Sequence, residues 1–449
     1  MQARLLLNQF VYRLRGGFLI RSVLIAVSIG LIGAILSRME SAFPAIHSWL
    51  PNFFLISGLD SQTAQIILST IASSTMTIVS IVFAMLLMAL TLASMQFSPR
   101  IMVGFTSDGI TQQTLGIFLG TFLYCLAALP SVHAEPVQLV PVLTVIGAML
   151  LALACVIWLI FFIYHISQSI SVNQIVHRIA RETESMIDDM MPMPRLSGRM
   201  GEHDGLLSSD KETPILSVSS GYVRFIENNR LLSLAKENHV VIRVVRRVGN
   251  FVPEGIPIMM VSSKGNLPSE ELRKDLRGTF DIGPTRTLQQ DIEFGILQIV
   301  DIALKAISPA VNDPSTAITC IDQLSSILIR YASRQPQETV LSSTPGNVRV
   351  VIPPLRFSRL SETAFEQIRL YSKSDVAVSM RIQRALNDIS MTISDWDDRK
   401  LLAAFGRRIV TGCAEHLNQE EMREILIRQS ALEELASEFY STLNSNSVG

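Results

Sequence analysis

The chain has 449 residues, of which 48% are hydrophobic and 17% charged, with a formal net charge of −1. That balance departs from the soluble average toward the membrane class and leaves no bulk basic field, so nucleic acid is not expected as a partner. Cys125, Cys155, Cys320 and Cys413 have neither CxxC nor zinc spacing and read as small hydrophobes.

Charge is distributed unevenly along the chain. No Asp, Glu, Lys or Arg occurs from Ser61 to Pro99, from Gly109 to Ala134, or from Pro136 to His177. A hydrocarbon core of about 30 Å needs about 20 apolar residues in a helix, and each run is long enough. A shorter run, Ser22 to Ser37, extends back to Phe18 if Arg21 snorkels to the interface. Four transmembrane helices are therefore predicted near residues 18–37, 64–95, 113–131 and 137–166, within a membrane domain of residues 1–170. Arg4, Arg13, Arg15 and Arg21 precede the first span, and Arg178 and Arg181 follow the fourth. The positive-inside rule then places both termini in the cytoplasm.

The second span is rich in hydroxyls. On a helical wheel Ser69, Ser73, Thr77, Ser80, Ala84, Thr91, Ser94 and Ser98 fall within one arc of about 100°. Two readings suit this row. Small residues let helices approach closely, and their hydroxyls can bond back to the preceding turn. Alternatively the row faces water in a path between subunits, although no charge lies on it. As one helix the 39-residue uncharged run would reach about 58 Å, so it must tilt, break or project beyond the bilayer. In the third span Gly116-x-x-x-Gly120 is a close-packing signal.

Residues 171–213 read as a connecting helix to Met190 followed by a Pro, Gly and Ser-rich linker. Residues 214–265 contain short β-branched runs bounded by Gly or Pro, with Gly221-Tyr222-Val223 and later Val248-Gly249-x-Phe251-Val252. This pattern resembles a lipoyl or biotinyl barrel-sandwich module without its modified lysine, so a small β-barrel with no prosthetic group is expected. Residues 266–449 are mainly helical, with one strand in "GNVRVVIPPL". The fold class is thus a membrane α-helical unit joined to a cytoplasmic α+β region with a barrel-like part and a helical C-terminal part.

The densest polar motif is "GPTRTLQQDIEFGILQIVDIALKAISPAVNDPSTAITCID". A helix from Thr287 to Ile307 would bury Ile292, Ile296, Ile299 and Ala303 and present Asp291, Gln298, Asp301 and Lys305 on the opposite face. Asp313 is expected to cap the next helix, with Pro314 at its first position. Capping and solvation account for most of these residues. The functional reading takes Arg286, Gln290, Asp291, Asp301, Lys305, Asn312 and Asp313 as a candidate ligand or interface site. Asp291 and Asp301 could form a hydrolytic carboxylate pair only if one had a raised pKa.

The runs "STIASSTMTIVSIVFAMLLMALTLASMQFSPR", "LGIFLGTFLYCL", "SGYVRFIE…VGNFVPEGIP" and "RTLQQDIEFGILQIVDIALKAISPAVNDPSTA" occur together in this order. The chain thereby resembles, over almost its whole length, the bacterial predicted membrane protein family called domain of unknown function 2254. The resemblance implies an inner-membrane location and supplies no catalytic residues. No P-loop, GxGxxG, HExxH or GxSxG motif is present, and the seven histidines have no ligand spacing. No cofactor, no metal and no catalytic residue are expected. The chain is read as a homo-oligomeric, channel-like or transport-related protein with a cytoplasmic vestibule, its solute or small-molecule ligand unidentified. The alternative is a non-permeating, membrane-anchored sensor or scaffold.

Overall fold

A computed structural model describes residues 18–42, 60–96, 109–132, 142–169, 171–191, 212–262, 267–334, 339–342, 348–393 and 395–446. The chain divides into two compact units, Met1–Gln174 and Ile175–Gly449.

The first unit contains α1 (Phe18–Ala42), α2 (Ser61–Gln96), α3 (Gly109–Val132) and α4 (Val142–Ser169). All four helices are long and apolar enough to cross a membrane. The four expected spans are therefore present, α1, α2 and α3 each extending a few residues beyond the expected limits and α4 ending a few residues after 166, with residues 137–141 outside the described residues. At its N-terminal end α2 begins beside Asp60, whose carboxylate accepts from the Thr63 N–H at 2.8 Å.

Helix α3 touches each of the other three. Its Gly116 and Gly120 face α1, where an added Cβ would stand 2.8 Å from Ile25 Cβ and 2.7 Å from Ile29 Cδ1 respectively. The close-packing signal thus serves contact within the chain. Tyr124, buried on α3, donates its hydroxyl to the Thr144 carbonyl at 3.1 Å. Glu40, near the end of α1, is 2% exposed. Its carboxylate accepts from the backbone N–H groups of Leu143 at 2.7 Å and Thr144 at 3.1 Å, and from the Thr144 hydroxyl at 2.8 Å. A side chain from α1 therefore supplies the N-terminal cap of α4, satisfying donors that the helix itself leaves unpaired.

Ser171 is not helical and separates α4 from the expected connecting helix, α5 (Val172–Met190). Helix α5 belongs mainly to the second unit and buries Ile175, Val176, Ile179, Ala180, Thr183, Met186 and Ile187. The linker that was expected to follow lies mostly outside the described residues.

The β region contains β1 (Glu212–Leu216), β2 (Gly221–Ile226), α6 (Asn228–Glu237), β3 (Val241–Val244), β4 (Phe251–Val252), β5 (Pro257–Ser262), α7 (Glu270–Arg277) and β6 (Phe280–Gly283). Later come β7 (Thr339–Ser342) and β8 (Val348–Ile352). The expected barrel does not form. One sheet has the order β1-β5-β3-β8-β7 and the other β4-β2-β6. The second edge of β3 pairs in parallel with β8, from about a hundred residues further along, so the first sheet extends outward instead of curling closed. Ile215, Val223, Leu231, Ile242, Val252, Met259, Leu276, Phe280 and Val350 form one core from both sheets and both short helices.

The helical remainder comprises α8 (Ile292–Ala306), α9 (Pro314–Ser333), α10 (Phe357–Tyr371), α11 (Val376–Thr392), α12 (Trp396–Cys413) and α13 (Gln419–Asn446). The predicted core face Ile292, Ile296, Ile299 and Ala303 is buried on α8. On α13 Ile425 and Leu432 are buried, whereas Leu426 is exposed. All four cysteines are free and buried.

Candidate functional sites

The row on α2 lies on the face away from its own bundle. Ala64, Leu68, Ala72, Thr75, Val79, Val82 and Ala89 are buried, while Ser69, Ser73, Thr77, Ser80, Ala84 and Thr91 are exposed. The side chain of Ser94, and Ser98 as a whole, lie outside the described residues. Each described hydroxyl donates to a carbonyl of its own helix: Ser69 to Ile66 at 3.0 Å, Ser73 to Thr70 at 3.0 Å and Thr77 to Ser73 at 3.0 Å. Ser80 donates to Met76 at 3.2 Å and Thr91 to Leu87 at 2.8 Å. The donors are thereby satisfied without water or a neighbour, and the surface they present is narrow because its side chains are small.

The polar motif of the second unit divides between the two ends of α8. At the N-terminal end Asp291, with φ −116° and ψ 83°, is the N-cap, so the predicted helical start at Thr287 shifts to Ile292. Asp291 Oδ1 accepts from the Phe294 N–H at 3.0 Å and from Arg286 Nη2 at 2.7 Å, and Oδ2 accepts from Arg286 Nε at 2.7 Å. This two-pronged pairing sits in a buried setting, Asp291 being 3% exposed. Arg286 also donates to Glu293 Oε2 at 3.2 Å, and Arg359 of α10 donates to Glu293 Oε1 at 2.7 Å. The Arg286 guanidinium lies 5.5 Å from the Phe294 ring centre.

Burial alone would lower Arg286 and raise Glu293. The opposing hydrogen bonds and charges prevail, holding Arg286 above its ordinary range and Glu293 below its own. Gly249, in the turn before β4, covers the pair with φ +86°, and a Cβ there would meet Arg286 Nη2 and Asp291 Oδ2 at 2.6 Å. Gln290 joins this end to β2: its Oε1 accepts from the Ile226 N–H at 3.0 Å and its Nε2 donates to the Ile226 carbonyl at 3.4 Å.

The other predicted site residues lie toward or beyond the far end. Asp301 stands ten residues from Asp291, about 15 Å along the axis. That exceeds the roughly 5–9.5 Å that separates cooperating carboxylates in glycoside hydrolysis. Lys305 is exposed in the last turn of α8. Asn312 takes φ +50° in the exposed turn that follows. Asp313 caps α9, accepting from the Thr316 N–H at 3.1 Å and its hydroxyl at 2.6 Å, and these bonds hold its carboxyl below the usual range. Gln298 is buried and does not lie on a solvated face. Glu293 and Arg359 join the cluster without having been singled out from sequence, and Gly249 had been noted only as part of the barrel-like pattern. An acid in the first turn of α8 hinted at Glu293, but nothing local marked Arg359, sixty-six residues away.

Among the described residues no group of three or more His, Cys, Asp or Glu side chains is placed to hold a metal ion. Uncharacterised proteins of Mycobacterium bovis and of two strains of Mycobacterium tuberculosis are 29% identical over 412 residues, covering 90% of this chain and 78% of theirs. No solved structure matches. With four apolar helices of spanning length and a family match over residues 15–388, the chain belongs to the predicted membrane protein family DUF2254.

Proposed function

We propose that this membrane protein is homo-oligomeric and channel-like, with α2 innermost and its hydroxyl row facing a central axis. The carrying observation is the outward position of Ser69, Ser73, Thr77, Ser80, Ala84 and Thr91, opposite the face with which α2 packs on its own chain. A row of small side chains suits close approach by a second copy, and internally bonded hydroxyls offer carbonyl and hydroxyl oxygens to a passing solute. The carboxy-terminal unit would form a cytoplasmic vestibule in a bacterial inner-membrane protein, with both termini in the cytoplasm, an orientation that the arginine bias supports.

The test is planar-bilayer recording of reconstituted protein under voltage and tension steps. Wild type should conduct, and Thr77→Leu or Ser80→Leu should cut unitary conductance several-fold. Silent recordings from an intact oligomer would move the protein to the second reading, a non-permeating sensor or scaffold whose α2 row only packs helices.

A further inference from the structure

A cleft of about 480 Å³ opens in the second unit between the turn before β4 and the segment entering α10. Arg247, Asn250, Glu293, Pro353, Pro354, Arg356 and Arg359 line it. Its volume falls in the small-molecule range of roughly 300–1,000 Å³. The lining carries three guanidinium groups and one carboxylate, and so has a surplus of two positive charges. The Arg286–Asp291 pair just behind the lining cancels its own charge and leaves that surplus at two.

The three arginines are held differently. Arg247 is fixed: its Nη1 donates to the Pro354 carbonyl at 3.0 Å, and its backbone N–H donates to Asn250 Oδ1 at 3.1 Å. Arg359 uses Nε on Glu293 at 2.7 Å, and its side chain is 63% exposed. Arg356 is exposed, and its side chain makes no hydrogen bond or ion pair among the described residues. Its backbone starts α10, and it supplies no side-chain cap to the first turn. Pro353 and Pro354 form a rigid apolar wall beside these donors.

We infer that this cleft binds a small organic phosphate monoester. A phosphate monoester carries about −1.5 to −2 charges near pH 7 and three acceptor oxygens, which matches the surplus charge and the planar donor forks of Arg356 and Arg359. The organic part rests on the proline wall. A phosphodiester, with one charge, leaves half of the surplus uncompensated. The cleft lies within the second unit, and the inference is independent of what α2 lines.

The experiment uses the full chain in phosphatidylcholine nanodiscs and follows its melting temperature against inorganic phosphate and glycerol 3-phosphate. A parallel sample contains phosphatidic acid and no soluble probe. Both soluble probes should stabilise wild type in a saturable way, glycerol 3-phosphate at the lower concentration. Arg356→Gln should weaken the apparent affinity about tenfold or more, at the scale of one charge-assisted contact. Arg384→Gln, an exposed arginine on α11, should leave it unchanged. Stabilisation by phosphatidic acid alone, lost in Arg356→Gln, would retain the phosphate chemistry and assign it to a lipid headgroup. No stabilisation by any probe, equal affinity in wild type and Arg356→Gln, or equal loss in Arg384→Gln would overturn the inference.

Discussion

Asp291 carries two loads at once, the cap of α8 and the neutralisation of Arg286. Asp291→Asn keeps an oxygen for the Phe294 N–H but leaves Arg286 largely uncompensated in a buried setting. Removing one partner of a buried pair costs about 3–5 kcal/mol, so a loss of that order is expected in urea unfolding of the solubilised protein. Gly249→Ala acts on the same cluster through the backbone. It adds a methyl in left-handed φ space against Arg286 and Asp291, and a loss of about 1–3 kcal/mol is expected by the same measurement. Glu293 gives the pair a pH signature. Its folded pKa lies below the ordinary 4.5, so its contribution is present above that value and disappears as pH falls below it. Comparing Glu293→Gln with wild type across acid pH should therefore show a stability gap that closes on acidification.

At the scale of elements, the contact between α1 and α3 depends on the absence of side chains. Gly116→Leu or Gly120→Leu must push Ile25 or Ile29 away, because even a Cβ would come within 3 Å of them. A lower yield of folded protein in mild detergent and a lower melting temperature are expected, whereas Ser69→Ala, on the exposed face of α2, should leave both unchanged. Helix α12 shows the opposite electrostatic sign to Glu293. Asp398 lies in its first turn, and burial, then the charges of Asp395 and Asp397, push its carboxyl up to about 6. An acid raised in the folded state holds its proton more tightly there than in the unfolded chain. The native state therefore loses stability as pH rises from 3.8 through about 6. Asp398→Asn should raise the melting temperature near neutral pH and have no effect below 3.8.

At the scale of the whole molecule, the proposed orientation predicts that protease applied to intact spheroplasts leaves the carboxy-terminal unit uncut and that lysis exposes it. The four spans were legible in the sequence because the bilayer acts on composition itself: a long charge-free run has nowhere cheaper to reside, whatever its neighbours are. Caps such as Asp313-Pro314 were equally legible, since a cap works within one turn of chain. The core stripe of α8 could be read from its helical period. The barrel was misread because strand-forming segments announce themselves locally, while their pairing depends on partners the local pattern does not contain. Here β8 takes the open edge of β3 from the far side of α8 and α9. The joining of Arg359 to Glu293, the shielding by Gly249 and the capping of α4 by Glu40 are likewise decided only in the tertiary structure. What the chain determined alone was solvent preference and local turn chemistry. Charge pairing and sheet closure are long-range contacts, set by which surfaces the core brings together.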